Sequence, residues 1–217
     1  DYSLGTPSIP SPPQVNETVV EILRDMDSIR VHGYTSALGD IETRSAIAAD
    51  LNDRYGAGIR PENLFICCGA APGLIAIMRA LAAAPEAEFV AIAVIKALLA
   101  EEDSEIMAVA PFFPEYRPFA KAAGGNLVVV PADTEHFQVN LKALEQAITP
   151  HTQAVIVNSP NNPTGTVYTA ETIRAVGQLL TRKGEEYGHP IYILADEPYR
   201  ELAYDGVEVP YLTKYYR

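Results

Sequence analysis

Two hydrophobic rhythms alternate along the chain: apolar residues recurring every three or four positions, and short runs that are apolar throughout. VNETVVEILRDMDSI, beginning at Val15, has the first rhythm and predicts a helix with Asn16 as its N-cap. After the loop YTSALGD, the stretch IETRSAIAADLNDRYG repeats that rhythm, and Gly56 suits its end because glycine accepts the left-handed conformation that closes helices. ENLFICCG reads as a short buried strand ending on Gly69, followed by a helix from about Pro72 to Ala84. NLVVVPA, TQAVIVNSP and PIYILADEP read as further strands, with the helical patterns NLKALEQAI and AETIRAVGQLLTRKGEEYG between them.

Strands that are apolar on both faces and alternate with helices predict an α/β domain with a largely parallel sheet. Ligands of such sheets gather beyond the carboxyl ends of the strands. Gly69, Asn158 and Asp196 stand at those ends. Residues 1–14, DYSLGTPSIPSPPQ, hold four prolines and read as an extended arm. Residues 77–93 and 94–110 align without gaps, with 6 of 17 positions identical. They read either as a tandem copy of one helix-end-plus-strand unit or as two alanine-rich segments alike in composition.

A length of 217 residues suffices for one large domain or two small ones with a real core. The net charge of −12 argues against nucleic acid, whose phosphates call for a basic face. It leaves an anionic small ligand open, because backbone dipoles bind phosphate in acidic proteins too. No uncharged apolar run approaches the ~20 residues of a membrane helix, and no basic-then-apolar leader opens the chain. Cys67 and Cys68 are adjacent, which suits neither an ordinary disulfide nor a zinc site, so a reduced cytoplasmic protein is expected. His32, His136, His151 and His189 have no metal-binding spacing and read as surface or loop residues.

Four stretches carry candidate chemistry: CCGAAPGL from Cys67, APFFPEY from Ala110, NSPNNPTG from Asn158 and ADEPYREL from Ala195. Singly, each has a plain reading as a tight turn, core aromatics, a proline-glycine turn or a helix cap. Together and in this order they resemble fold-type I pyridoxal-phosphate enzymes, specifically the class I/II aminotransferases. The resemblance runs from Leu4 to the last residue. It implies a partial large domain of the aspartate-aminotransferase-like fold, a three-layer αβα arrangement spanning residues 15–217, without the C-terminal small domain.

The roles that follow are those the resemblance implies. Asp196 matches the aspartate that keeps the pyridine nitrogen of pyridoxal phosphate protonated, the condition for the ring to act as an electron sink. Tyr199 matches the tyrosine that hydrogen-bonds the ring's phenolic oxygen. Asn162 matches the donor to the same oxygen, close to the substrate carboxylate. Gly69, Ala70 and Ala71 match the phosphate turn at a helix start, here without the hydroxyl that relatives often place there. Phe113 matches the ring that stacks on the cofactor. Tyr34 matches a tyrosine reaching the neighbouring subunit's phosphate, which implies a homodimer. Gly5 resembles a substrate-side glycine.

Transamination also needs a lysine for the Schiff base and the proton transfer, and the family carries it in a serine-rich strand after DEPY. No such motif follows here, so that lysine is expected beyond Arg217. Lys214 comes too early, Lys121, Lys142 and Lys183 read as solvated, and Lys96 sits inside the repeated segment. The expected activity is amino transfer between an amino acid and a 2-oxo acid, seen in an incomplete chain. A β-lyase, racemase or decarboxylase on the same scaffold is an alternative, and so is a non-catalytic remnant with a structural or binding role.

Overall fold

The computed structural model describes residues 10–83 and 103–216. Gly5, Lys96 and most of the paired segments 77–93 and 94–110 therefore lie outside the described residues. The chain divides into two compact units, Asp1–Ile66 and Cys67–Arg217.

In the first unit, α1 spans Pro13–Asp25, α2 Ser28–His32 and α3 Ile41–Tyr55. Asn16 is not the cap of α1. The helix begins at Pro13, whose missing N–H is one that a first helical residue does not use and whose fixed φ suits that position. The predicted single helix is also broken. Asp27 accepts from the amides of Ile29 (3.0 Å) and Arg30 (3.2 Å), and so starts α2. α3 follows its pattern, capped by Asp40 on Thr43 N at 2.8 Å and closed by Gly56 at φ 60°. The buried Arg44 guanidinium donates to Gly39 O (3.2 Å) and Pro61 O (2.7 Å), tying the YTSALGD loop to the segment after α3.

The strand expected at ENLFICCG does not form. Pro61–Asn63 is a turn of 3₁₀ helix, and no described strand lies alongside the residues that follow. A β-ladder needs a neighbour, and the apolar run supplies only one side of it. Phe65 is accordingly 64% exposed.

Among its described residues the second unit holds four strands, β1 Glu105–Val109, β2 Asn126–Val130, β3 Thr152–Asn158 and β4 Tyr192–Asp196. They form a parallel sheet in the order β2-β1-β3-β4. The helices are α4 Ala70–Ala83, starting two residues earlier than expected, α5 Tyr116–Ala122, α6 Leu141–Ala147 and α7 Ala170–Tyr187. β1 occupies the end of the second paired segment.

Side-chain alternation sorts the core into two layers. Ile106 and Ala108 of β1, Ala154 and Ile156 of β3, and Leu194 of β4 pack with Leu74 and Met78 of α4 and with Tyr116 and Ala120 of α5. Met107, Val109, Val155 and Val157 point to the other face, against Leu144 of α6 and Ile173, Val176 and Leu180 of α7. All seven residues of β3 are buried, as a central strand of a covered parallel sheet requires. Chain connections leave β1 and β3 toward opposite edges of the sheet, and it is beyond the carboxyl ends at such a switch point that ligands of open α/β sheets bind.

Candidate functional site

Asp196 is the last residue of β4 and stands in register with Asn158, the last residue of β3. The alternation that sends Leu194 and Ile156 toward α4 and α5 sends Asp196 and Asn158 to the same side. There the phenol of Tyr116, only 1% exposed, donates to Asp196 Oδ2. Burial raises the Asp196 pKa above the usual carboxylate range, and the Tyr116 hydrogen bond works against that rise. The Tyr116 phenol is itself pushed well up, chiefly by burial and then by Asp196. Phe113, half-buried in the loop after β1, meets the Tyr116 ring edge-on at 5.7 Å and 83°.

Asn158 extends this set toward the NNPTG loop. Its Nδ2 donates to Asp196 O at 2.8 Å, and its Oδ1 accepts from Asn162 N at 2.6 Å. Asn162 Nδ2 in turn reaches the Tyr199 hydroxyl at 3.5 Å, the outer limit of a hydrogen bond. The neighbouring Asn161 folds the loop on itself. Its Oδ1 accepts from Thr164 N (3.1 Å) and Thr164 Oγ1 (2.9 Å), while its Nδ2 donates to Pro111 O at 3.3 Å. This last bond ties the loop after β3 to the loop after β1.

Beyond β4 the segment is pinned by Arg200. Its guanidinium donates to Glu197, to Val209 O at 2.9 Å and to Pro210 O at 3.0 Å, and lies 5.0 Å from the Tyr211 ring centre. Burial raises the pKa of Glu197, and Arg200 opposes the shift. Tyr199 therefore leaves β4 on a fixed segment, 37% exposed and directed at Asn162.

Gly69 precedes α4 with φ +101°, a conformation that favours glycine, and Ala70 and Ala71 open the helix. The first amides of a helix have no partner within it and form an anion-binding end, to which Pro72 adds no donor. α4 lies on the same face of the sheet as Asp196.

Of the residues singled out from sequence, Phe113, Asn162, Asp196 and Tyr199 are thus connected by contacts. Gly69, Ala70 and Ala71 stand at the head of a helix on that face. Tyr34 belongs to the first unit and is fully exposed. Tyr116, Asn158 and Arg200 lie within the four motifs, yet their parts emerge only in the folded chain. The signal for Tyr116 in the sequence is a polar-tipped aromatic three residues after Phe113.

Lys121, Lys142 and Lys214 are exposed. Lys183 departs from the solvated reading, because its ammonium pairs with Glu186 at 2.7 Å and its side chain is only 13% exposed. Among the described residues no group of three or more His, Cys, Asp or Glu could hold a metal ion, and no helix is long and apolar enough to cross a membrane.

The donor set has a definite chemical preference. A half-buried carboxyl whose charged form is penalised by burial gains most from a cationic N–H partner, which stabilises that charge. Beside it, an amide and a phenol can serve an electron-rich oxygen, and a benzyl ring offers an apolar face. The head of α4 suits an anion. These groups fit pyridoxal phosphate.

Comparison with known proteins agrees with this class. The family model Aminotransferase class I and II matches residues 9–214, and the chain belongs to that family. Aspartate aminotransferase of Geobacillus stearothermophilus is 28% identical over 205 residues, covering 94% of this chain and 45% of that protein. Among solved structures, an amino transferase from Eubacterium rectale superposes with a TM-score of 0.89 at 50% identity, covering 100% of this chain and 50% of that one. Aspartate aminotransferase of Thermotoga maritima gives a TM-score of 0.79 at 28% identity, covering 99% and 50% respectively. The fold is the aspartate-aminotransferase-like α/β fold, and the chain spans about half the length of the relatives it matches.

Proposed function

We propose that the protein is a pyridoxal-phosphate-dependent aminotransferase that exchanges an amino group between an amino acid and a 2-oxo acid. The observation that carries this reading is Asp196, a carboxyl held half-buried at a strand end with Tyr116 donating to it. When bound, pyridoxal phosphate supplies an electron sink and a carbonyl able to take up and release an amino group.

The chain's own residues bind and orient it. Asp196 accepts from the ring N–H and stabilises its charge, while Tyr116 holds one carboxylate oxygen and leaves the other to the ring. Asn162 and Tyr199 donate to the phenolic oxygen and disperse its charge, and Asn162 also lies toward the substrate carboxylate. Phe113 covers one face of the ring and excludes water from it. The amides of Ala70 and Ala71 hold the phosphate at the head of α4, and Gly69, whose own amide donates to Cys67 O at 2.9 Å, shapes the turn that leads into it.

On this reading residues 15–217 belong to the cofactor-binding large domain, and the lysine that moves the proton lies outside this chain's sequence. Tyr34 serves the phosphate of a second subunit in a cytoplasmic homodimer, and Gly5 lies on the substrate side. The test is single-turnover conversion of the bound cofactor by an amino-acid panel in the full-length protein. There Asp196→Ala should abolish it, and a near-normal single-turnover rate in that variant would sink the assignment.

A further inference from the structure

Two of the proposed cofactor contacts come from different elements, Asp196 from β4 and Asn162 from the loop after β3. A flat heteroaromatic ring presents its nitrogen and its phenolic oxygen at a fixed separation. The two residues must therefore be held in register with each other, to within a fraction of an ångström. One side chain does this here. Asn158, 4% exposed, donates through Nδ2 to the Asp196 carbonyl at 2.8 Å and accepts through Oδ1 from the Asn162 amide at 2.6 Å.

From this bridge we infer that Asn158 is the positioning residue that couples the ring-nitrogen carboxylate to the phenolic-oxygen amide. The inference rests on the function proposed above. The chemistry selects asparagine, because a single planar group must offer one donor and one acceptor in opposite directions inside a buried site. Aspartate at this position lacks the donor, leaves the Asp196 carbonyl unserved and brings a second negative charge to the end of β4. Leucine has the volume and neither polar atom, and would leave a part-buried carbonyl and a part-buried amide without their partner. Asn158 touches neither the ring nor the substrate in this scheme; it acts through Asp196 and Asn162. The β3–β4 register sets its first bond, since Asn158 and Asp196 are paired Cα partners. The tight return of the NNPTG loop sets its second.

The test uses pyridoxal phosphate labelled at the ring nitrogen, bound to the wild type, Asn158→Ala and Asn158→Asp. It reads affinity by titration, ring-nitrogen environment by NMR and phenolic-oxygen ionisation by the cofactor's absorption band. Asn158→Ala should weaken binding about tenfold, the order carried by one or two hydrogen bonds. It should also displace both spectroscopic signals together, whereas Asn162→Ala displaces the absorption band alone. Asn158→Asp keeps the acceptor for the Asn162 amide, so it should move the ring-nitrogen signal and hold the band. Should the alanine variant not fold, the aspartate variant alone decides the question by that split. Wild-type affinity with both signals unmoved, in a variant whose far-ultraviolet circular dichroism is unchanged, overturns the inference while leaving the proposed function standing. Absence of saturable binding by the wild type overturns both.

Discussion

At Asp196 the fold holds a carboxyl in surroundings that favour its neutral form, with Tyr116 as the one described side chain donating to it. A carboxyl whose folded pKa lies above its unfolded value contributes stability at low pH, and that contribution is lost as pH rises through the folded pKa. Without cofactor, Asp196 therefore weakens the fold near neutral pH, and a cationic ring reverses the sign. Asp196→Asn should leave the thermal midpoint unchanged in acid and raise it near neutrality, while cofactor binding is lost. Melting curves across pH check this, and a lower neutral midpoint would contradict it. Tyr116→Phe removes the opposing hydrogen bond, so the Asp196 pKa should rise further, measurable by carboxyl NMR titration. Asp196, Asn162 and Tyr199 were legible in the sequence because short-range motifs carry them. Tyr116 was not, since its partner lies 80 residues away and only the folded sheet brings the two together.

Among the elements, local pattern succeeded where the pattern is itself the cause. α3, α6 and α7 form where helical spacing and capping residues coincide: Asp40 on Thr43, Asn140 on Ala143 and Thr169 on Thr172. It failed where a neighbour decides, as at the unformed strand after Pro61. α5 was missed because YRPFAKA is short and contains Pro118, which the first turn of a helix tolerates since its N–H has no partner there. Thr169→Ala should cost about 1 kcal/mol through loss of the α7 cap. Leu180→Ala, in a position with no exposure, should cost about 2–5 kcal/mol. Urea unfolding separates the two, and equal losses would contradict the layer assignment. Gly69→Ala forces a side chain into φ +101° at a cost of ~1–2 kcal/mol and should also weaken phosphate binding. Pyridoxal, which lacks the phosphate, should bind the two proteins equally well.

For the whole molecule, the predicted α/β class and parallel sheet agree with the structure, and the carboxyl ends of β1, β3 and β4 carry Phe113, Asn162 and Asp196 on or just after them. Strand order was not legible, because nothing local distinguishes β2-β1-β3-β4 from a sequential sheet. The lysines follow a clear expectation. Lys121, Lys142 and Lys214 are exposed and Lys183 is paired with Glu186, so borohydride reduction should fix pyridoxal to none of them stoichiometrically. Peptide mapping by mass spectrometry checks this, and a stoichiometric adduct at any one of them would contradict a Schiff-base lysine beyond Arg217. The most direct test of the cofactor site is equilibrium titration of the protein with pyridoxal phosphate, wild type against Asp196→Asn. Saturable binding of one cofactor per chain, weakened at least about tenfold by the substitution, is the predicted result. Binding of equal strength in the two proteins would contradict Asp196 as the partner of the ring nitrogen.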